Sequence, residues 1–168
     1  MGDFRLMTEL SINGILKSYN DGIHGGRTNM GIAITPAYEG ERLIIGPHFG
    51  VSTTIYQGDK KASGTDNTFK DLNWSAGLST TLVFARRRND LAGFNLLTSY
   101  RWDRYSIAGS KVTEPGLMIK PSLLFAAAPL RKVGFCVELG AYSVYIPETA
   151  RLDLGIGFTL GFFLTTHK

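Results

Sequence analysis

The chain has 168 residues, the length of one ordinary domain with enough chain to bury a core. Only 19% of the residues are charged, while 43% are hydrophobic and 20 are glycine, so the composition excludes intrinsic disorder. The net charge of +4 is too weak and dispersed for a nucleic-acid-binding surface, and the single Cys136 excludes an intrachain disulfide. No apolar run reaches the ~18 residues of a transmembrane helix, whereas transmembrane β-strands need only short alternating segments.

Alternation of apolar and polar residues with a period of two runs along nearly the whole chain. In the first segment, the apolar residues Phe4, Leu6 and Leu10 alternate with the polar residues Arg5 and Glu9. This period predicts a β-strand with one apolar face, and it recurs in every later segment without any helical period. The predicted strands span residues 4–18, 28–39, 42–56, 69–85, 91–103, 116–128, 133–145 and 151–164.

The connectors between these strands alternate in length. Short connectors fall at Gly40-Glu41, around Arg88 and around Leu130, and longer ones fall at 19–27, 57–68, 104–114 and 146–149. The sequence therefore predicts an all-β fold, an eight-stranded antiparallel up-and-down barrel, because closure removes both unpaired edges of the meander. An even strand number places both termini at the end with the short connectors.

The phase of the apolar residues also predicts whether each short connector contains an even or an odd number of residues. It shifts across Gly40-Glu41, which requires an even-numbered connector, and is retained across Arg88 and Leu130, which requires odd-numbered ones.

Prolines inside strands remove hydrogen-bond donors from the ladder, so we expect bulges or missing bonds at Pro36, Pro47 and Pro121.

The composition of the polar face predicts which face is outside. A soluble barrel should expose many lysines and glutamates, but this face consists mainly of Gly, Ser, Thr, Asn and Ala. Such residues suit the narrow lumen of an eight-stranded barrel, so we expect the apolar face to contact lipid. Residues predicted to face lipid near mid-height are Leu10, Leu78, Leu96, Phe158 and Leu160.

Aromatic residues of the apolar face cluster near the strand ends, as expected at two lipid–water interfaces. The cluster at the long-connector end contains Trp74, Tyr100, Trp102 and Tyr145, and that at the short-connector end contains Phe4, Tyr38, Phe84, Phe94, Phe125 and Phe162.

Charged residues of both signs lie on the predicted inward face. Unpaired buried charges are unfavourable, so we expect paired networks that fill the lumen. Glu39 and Arg42 should face each other across the Gly40-Glu41 turn, and Lys120 should lie diagonal to Glu138. The predicted network comprises Arg5, Glu9, Lys17, Glu39, Arg42, Arg101, Asp103, Lys120, Glu138, Arg151 and Asp153.

With this strand count, loop asymmetry and polar lumen, residues 4–164 resemble the small OmpA/OmpX-type eight-stranded outer-membrane barrels. The resemblance implies a non-enzymatic protein of the Gram-negative outer membrane, monomeric, and surrounded by lipopolysaccharide or phospholipid. It would act as an anchor, and its long loops would carry any binding of an extracellular ligand or protein. Met1-Gly2-Asp3 leads straight into the first strand without a signal peptide, so the chain is either cytoplasmic or a mature form. With the resemblance to outer-membrane barrels, we expect a mature chain.

Three alternative functions stay open. The first is a narrow channel or conduit for small or hydrophobic solutes, and the second is a soluble ligand-binding barrel. The third is a lipid A-modifying outer-membrane enzyme, since such enzymes use His with Ser and an acid, and His24 lies near Asp21 and Ser18. No second motif supports this site, and His48 with Ser52 is better explained by lumen packing. No cofactor, metal site or nucleic-acid partner is predicted.

Overall fold

Eight antiparallel strands close into one barrel in which each strand pairs with its neighbours in the sequence. The computed structural model describes residues 3–19, 25–58, 68–87, 90–107, 110–130 and 132–166. Pairing of the first strand with the last closes the barrel, so the predicted fold class is confirmed. The strands are β1 (Asp3–Tyr19), β2 (Gly25–Glu39), β3 (Leu43–Gly58), β4 (Thr68–Arg87), β5 (Asp90–Ile107), β6 (Ser110–Leu130), β7 (Val133–Ile146) and β8 (Arg151–Thr165).

Strands β5 and β6 are longer than the alternation predicted. The predicted connector 104–114 is almost entirely strand, and the hairpin pairs as far as Ile107 with Ser110. Backbone pairing within this hairpin does not require an apolar face. This polar part of the chain therefore lacks the hydrophobic periodicity from which strands were predicted. Among the described residues, no helix is long and apolar enough to cross a membrane.

Three one-residue register shifts interrupt the ladders. They lie between Ile15 and Lys17 in β1, between Val83 and Ala85 in β4, and between Ala127 and Leu130 in β6. Because side chains alternate with a period of two, each shift changes the phase of the bulged strand: beyond it, inward side chains move from odd-numbered to even-numbered positions, or the reverse.

The shifts explain why the odd-numbered connectors were predicted wrongly. Arg87 pairs with Asp90, and Leu130 pairs with Val133, so only two residues separate the paired ends of each hairpin. The extra residue that the phase requires lies in the strand as a bulge and not in the turn. The first hairpin has the even-numbered connector that was predicted, although it is longer, because Glu39 pairs with Ile44.

The prolines produce the predicted missing bonds. Between β2 and β3 the pairing stops after Ile34–Phe49 and resumes at Tyr38–Ile45, which leaves a gap that contains both Pro36 and Pro47. A similar gap between β6 and β7 contains Pro121. Neither gap changes the register of the flanking pairs, so the prolines remove hydrogen bonds without introducing bulges.

Candidate functional site

The outer surface of the barrel is apolar. Every residue predicted to face lipid near mid-height points outward, and between 39% and 49% of its surface is exposed. The opposite face is mainly polar and carries buried charges, among them Arg101, which is 4% exposed, and Asp103, which is 1% exposed. This arrangement is the reverse of a soluble ligand-binding barrel with an apolar interior. The outward residues near mid-height are Leu10, Leu78, Leu96, Phe158 and Leu160.

The aromatic residues of the apolar face all point outward as well. Trp74 and Trp102 are direct partners across β4 and β5, and the Tyr100 ring packs edge-on against Trp102 with 4.9 Å between ring centroids. The set is Phe4, Tyr38, Trp74, Phe84, Phe94, Tyr100, Trp102, Phe125, Tyr145 and Phe162.

A network of arginines and carboxylates fills the lumen at the long-connector end. The Asp103 carboxylate accepts hydrogen bonds from Arg101 Nε and, at 3.2 Å, from Arg151 Nη2. Arg151 Nε also lies 3.4 Å from Asp153 Oδ2 and Arg151 Nη1 lies 3.9 Å from Glu114 Oε2. Each arginine thus has at least one carboxylate partner in a site that excludes most solvent.

Asp153 extends this network across the barrel closure. Its carboxylate accepts a hydrogen bond from Ser18 on β1 and lies 3.3 Å from Arg27 Nη1 on β2. Arg101 extends the network toward mid-barrel, because it donates to the Tyr142 hydroxyl and, at 3.0 Å, to Thr54 Oγ1. Side chains from seven strands, β1, β2, β3, β5, β6, β7 and β8, therefore meet in one connected group.

A second group occupies the middle of the lumen. Thr35 Oγ1 lies 2.8 Å from Glu9 Oε1 and 3.0 Å from His48 Nδ1. On the other side, Glu138 accepts hydrogen bonds from Asn95 Nδ2 at 3.2 Å and Ser122 Oγ at 3.0 Å. Polar neutral side chains thus satisfy much of the hydrogen-bonding capacity of both buried carboxylates.

The predicted contact between Lys120 and Glu138 is wrong. Leu124, four residues from Lys120, is the register partner of Glu138. Lys120 Nζ donates instead to Thr159 Oγ1 on β8. Its positive charge still acts on both mid-barrel carboxylates, Glu9 and Glu138, through space.

A third group closes the lumen at the short-connector end. Arg5 makes two hydrogen bonds to the Glu39 carboxylate, at 2.7 and 2.9 Å, and its guanidinium lies 4.0 Å from the centroid of the Phe163 ring. Arg86 Nη2 reaches the same carboxylate at 3.1 Å. The bidentate contact between Arg5 and Glu39 is the strong form of the arginine–carboxylate interaction.

Two predicted members of the lumen network lie outside it. Lys17 is exposed and lies 4.7 Å from the centroid of the Tyr19 ring, because the bulge before it turns Ser18 inward in its place. Arg42 is exposed in the first turn and does not face Glu39, whose register partner is Ile44. The four-residue turn carries Arg42 beyond the end of the ladder.

Three charged residues of the lumen network were not predicted from the sequence. Arg27 and Glu114 lie in phase with the inward residues, and extending the alternation of β2 and β6 by a few residues would have found them. Arg86 lies out of phase with the inward residues of β4 and turns inward only because of the bulge between Val83 and Ala85. No local sequence signal marks that bulge.

Little space is left between these groups. A cavity of about 40 Å³ lies at mid-barrel, bordered by Glu9, Asn13, His48, Arg101 and Lys120 among others. That volume holds a few water molecules at most. Side chains from several strands thus surround this cavity closely.

The described residues do not form a serine-hydrolase type of site. In such a site the histidine lies between the acid and the nucleophile, but here the Thr35 hydroxyl lies between Glu9 and His48, whose closest atoms are 4.0 Å apart. Ser52 instead accepts a hydrogen bond from Asn29 at 3.0 Å. His24 and Asp21 lie outside the described residues. No three described His, Cys, Asp or Glu residues are grouped to hold a metal ion.

Comparison with solved structures identifies the architecture. Neisserial surface protein A aligns over 98% of this chain and 99% of its own, with a TM-score of 0.60 and 15% identity. OprG from Pseudomonas aeruginosa aligns over 99% and 97%, with a TM-score of 0.60 and 11% identity. The chain has the fold of a small OmpA/OmpX-type outer-membrane barrel.

Ail of Yersinia pestis has the same fold, with a TM-score of 0.53 and 12% identity over 98% of this chain and 99% of its own. No protein-family model and no curated protein matches the chain. At these identities the likeness concerns the fold alone, so the assignment of a function depends on the geometry of the two faces.

Proposed function

We propose that this chain is an integral protein of the bacterial outer membrane that acts as a closed, non-enzymatic anchor for its long connectors. The observation that carries the proposal is the inverted distribution of polarity. Leu160 and Phe162 on the outer face are 43% and 67% exposed, whereas Glu138 and Asp153 inside are 2% and 4% exposed. In water this distribution would be unfavourable, and in a bilayer it is the stable one.

The filled lumen supports an anchor in preference to a conduit. Ion pairs and hydrogen bonds join side chains of different strands at three levels of the lumen, and the mid-barrel cavity of about 40 Å³ is too small for a solute larger than water. A conducting path would require several of these buried pairs to separate, and separating a buried pair is strongly unfavourable. The narrow channel is therefore the less favoured function.

Detergent dependence tests the membrane location. We expect the purified chain to be monomeric in detergent micelles and to aggregate when detergent is removed, because the exposed apolar outer face then meets water. We also expect it to insert into preformed vesicles and resist carbonate extraction. A chain that stays monomeric in detergent-free buffer would refute the membrane proposal and reinstate the soluble barrel.

A further inference from the structure

A furrow crosses the outer face of the barrel between two rows of outward side chains. One row contains Trp102, Trp74, Val51, Ile32, Leu10 and Leu160, each of which is the register partner of the next.

The second row, which includes Ala76, Phe49 and Phe162, runs beside the first. The floor between them is formed at Ser75, Gly50 and Ala33, whose positions alternate with the outward ones. The furrow is open to the outside and has a volume of about 770 Å³. Since it crosses six strands spaced by ~4.8 Å, its length is about 24 Å.

The furrow leads to a cationic residue at the long-connector end. A second depression of about 480 Å³ is lined by Arg104, Thr113 and the two tryptophans Trp74 and Trp102, which also line the furrow. Arg104 and Thr113 are register partners on β5 and β6, and both are exposed. The apolar furrow and the polar depression are thus continuous through the two indole rings.

Arg104 differs from the arginines of the lumen in its lack of partners. Arg27, Arg101 and Arg151 each contact a carboxylate, but within the described chain Arg104 makes no hydrogen bond or ion pair. It lies beside interfacial tryptophans, at the level where lipid phosphates meet hydrocarbon in a membrane-spanning barrel. A guanidinium there can bind a phosphate through two parallel hydrogen bonds.

We propose that this surface binds one anionic phospholipid, with its phosphate on Arg104 and Thr113 and an acyl chain in the furrow. The inference rests on the proposed membrane location. The fit has three parts: a cation without a partner among the described residues, a hydroxyl beside it, and an apolar furrow of acyl-chain length that begins beneath both. A zwitterionic lipid fits less well because its own ammonium group competes with Arg104 for the phosphate.

Intrinsic tryptophan fluorescence can report on this site, because Trp74 and Trp102 are the only tryptophans in the chain. The chain is reconstituted in phosphatidylcholine vesicles with a small, fixed fraction of either brominated phosphatidylglycerol or brominated phosphatidylcholine. Bromine quenches indole fluorescence on contact. We expect an apparent preference for the anionic lipid of about fivefold, the size expected for one interfacial arginine, and we expect salt to reduce it.

Two variants assign the preference to its cause. Arg104→Gln should reduce the preference to onefold. Arg87→Gln removes the same charge from an exposed residue at the opposite end of the barrel and should leave the preference unchanged. A preference that survives Arg104→Gln would overturn the assignment to Arg104.

Equal quenching by the two brominated lipids would refute the lipid site and leave the membrane location intact. Absence of quenching in vesicles made wholly of brominated phosphatidylcholine would instead refute membrane insertion, and with it the proposed function. The two failures are therefore distinguishable within one experiment.

Discussion

Single carboxylates between two arginines are the critical residues of the lumen. The Asp103 side chain is 2% exposed and contacts both Arg101 and Arg151. Glu39 occupies the equivalent position between Arg5 and Arg86 at the other end. An unpaired buried charge is much less stable than a paired one, so the loss of one shared carboxylate leaves two cations undercompensated.

We expect Asp103→Asn to lower the free energy of unfolding by about 3–5 kcal/mol, because the amide keeps the shape but removes the charge that two buried arginines share. Urea titration of the chain folded in lipid vesicles measures this change. Asp90→Asn is the matched control, since Asp90 is exposed at the barrel end, and it should change stability by less than ~0.5 kcal/mol. Equal effects of the two variants would contradict the buried network.

At the scale of the strand, close approach of neighbouring backbones explains some of the glycines. A Cβ atom at Gly46 on β3 would lie 2.1 Å from the Pro36 carbonyl oxygen on β2 and 2.6 Å from Ala37 Cα. The approach occurs where the β2–β3 ladder lacks pairs beside Pro36 and Pro47. Gly14 on β1 is different, because nothing lies within 4 Å of its Cβ position.

Gly46→Ala should therefore destabilise the barrel by about 1–3 kcal/mol, because the backbone atoms in its way cannot move aside without separating two strands. Gly14→Ala should leave stability unchanged or raise it by about 0.4–1 kcal/mol, since it restricts only the unfolded chain. The two variants are compared by unfolding in the same vesicles. If both behave alike, the close approach of β2 and β3 is not present in the membrane.

The outward face of β8 gives a second prediction at this scale. Phe158 points outward and pairs with Ile12 and Leu139 near mid-height, so Phe158→Arg should lower stability by about 2–4 kcal/mol in a bilayer. Phe4→Arg is the control at the barrel end, where the same substitution should change stability by only ~0–1 kcal/mol. A near-zero effect at Phe158 would mean that this face does not contact lipid.

At the scale of the whole molecule, the described side chains of the lumen support the proposal of a closed barrel. Its three groups of polar contacts include residues from every strand of the barrel. The mid-barrel cavity among them has a volume of only about 40 Å³. This arrangement follows from strand number, because an eight-stranded barrel is only wide enough to be filled by its own side chains.

Planar bilayers test this closure directly. The unmodified chain should give no stable nanosiemens-scale openings, because ions cannot pass side chains that are paired across the lumen. A large porin reconstituted in the same membrane provides the positive control for detection. Stable openings from the unmodified chain would refute the closed lumen and favour the narrow channel.

Much of this architecture was predictable from the sequence, and the errors have identifiable causes. The two wrongly placed cations, Lys17 and Arg42, lie beyond a bulge and in a turn, where the period of two no longer applies. Arg27 and Glu114 were missed because the predicted strands β2 and β6 began after them, at the point where the apolar alternation begins, although both residues keep the inward phase. The contact between Lys120 and Glu138 failed because the register of β6 against β7 places them four residues apart.

The sequence by itself determined the number of strands, the order in which they pair and the face that points outward. Alternation is a local property of the extended backbone, and an antiparallel meander pairs only neighbours in the chain. Only the tertiary structure decided which charges meet. Arg27 and Asp153 are 126 residues apart in the sequence and become partners through barrel closure, the register of each ladder and a bulge in β1. Each of these depends on contacts between distant segments, so no local pattern encodes it.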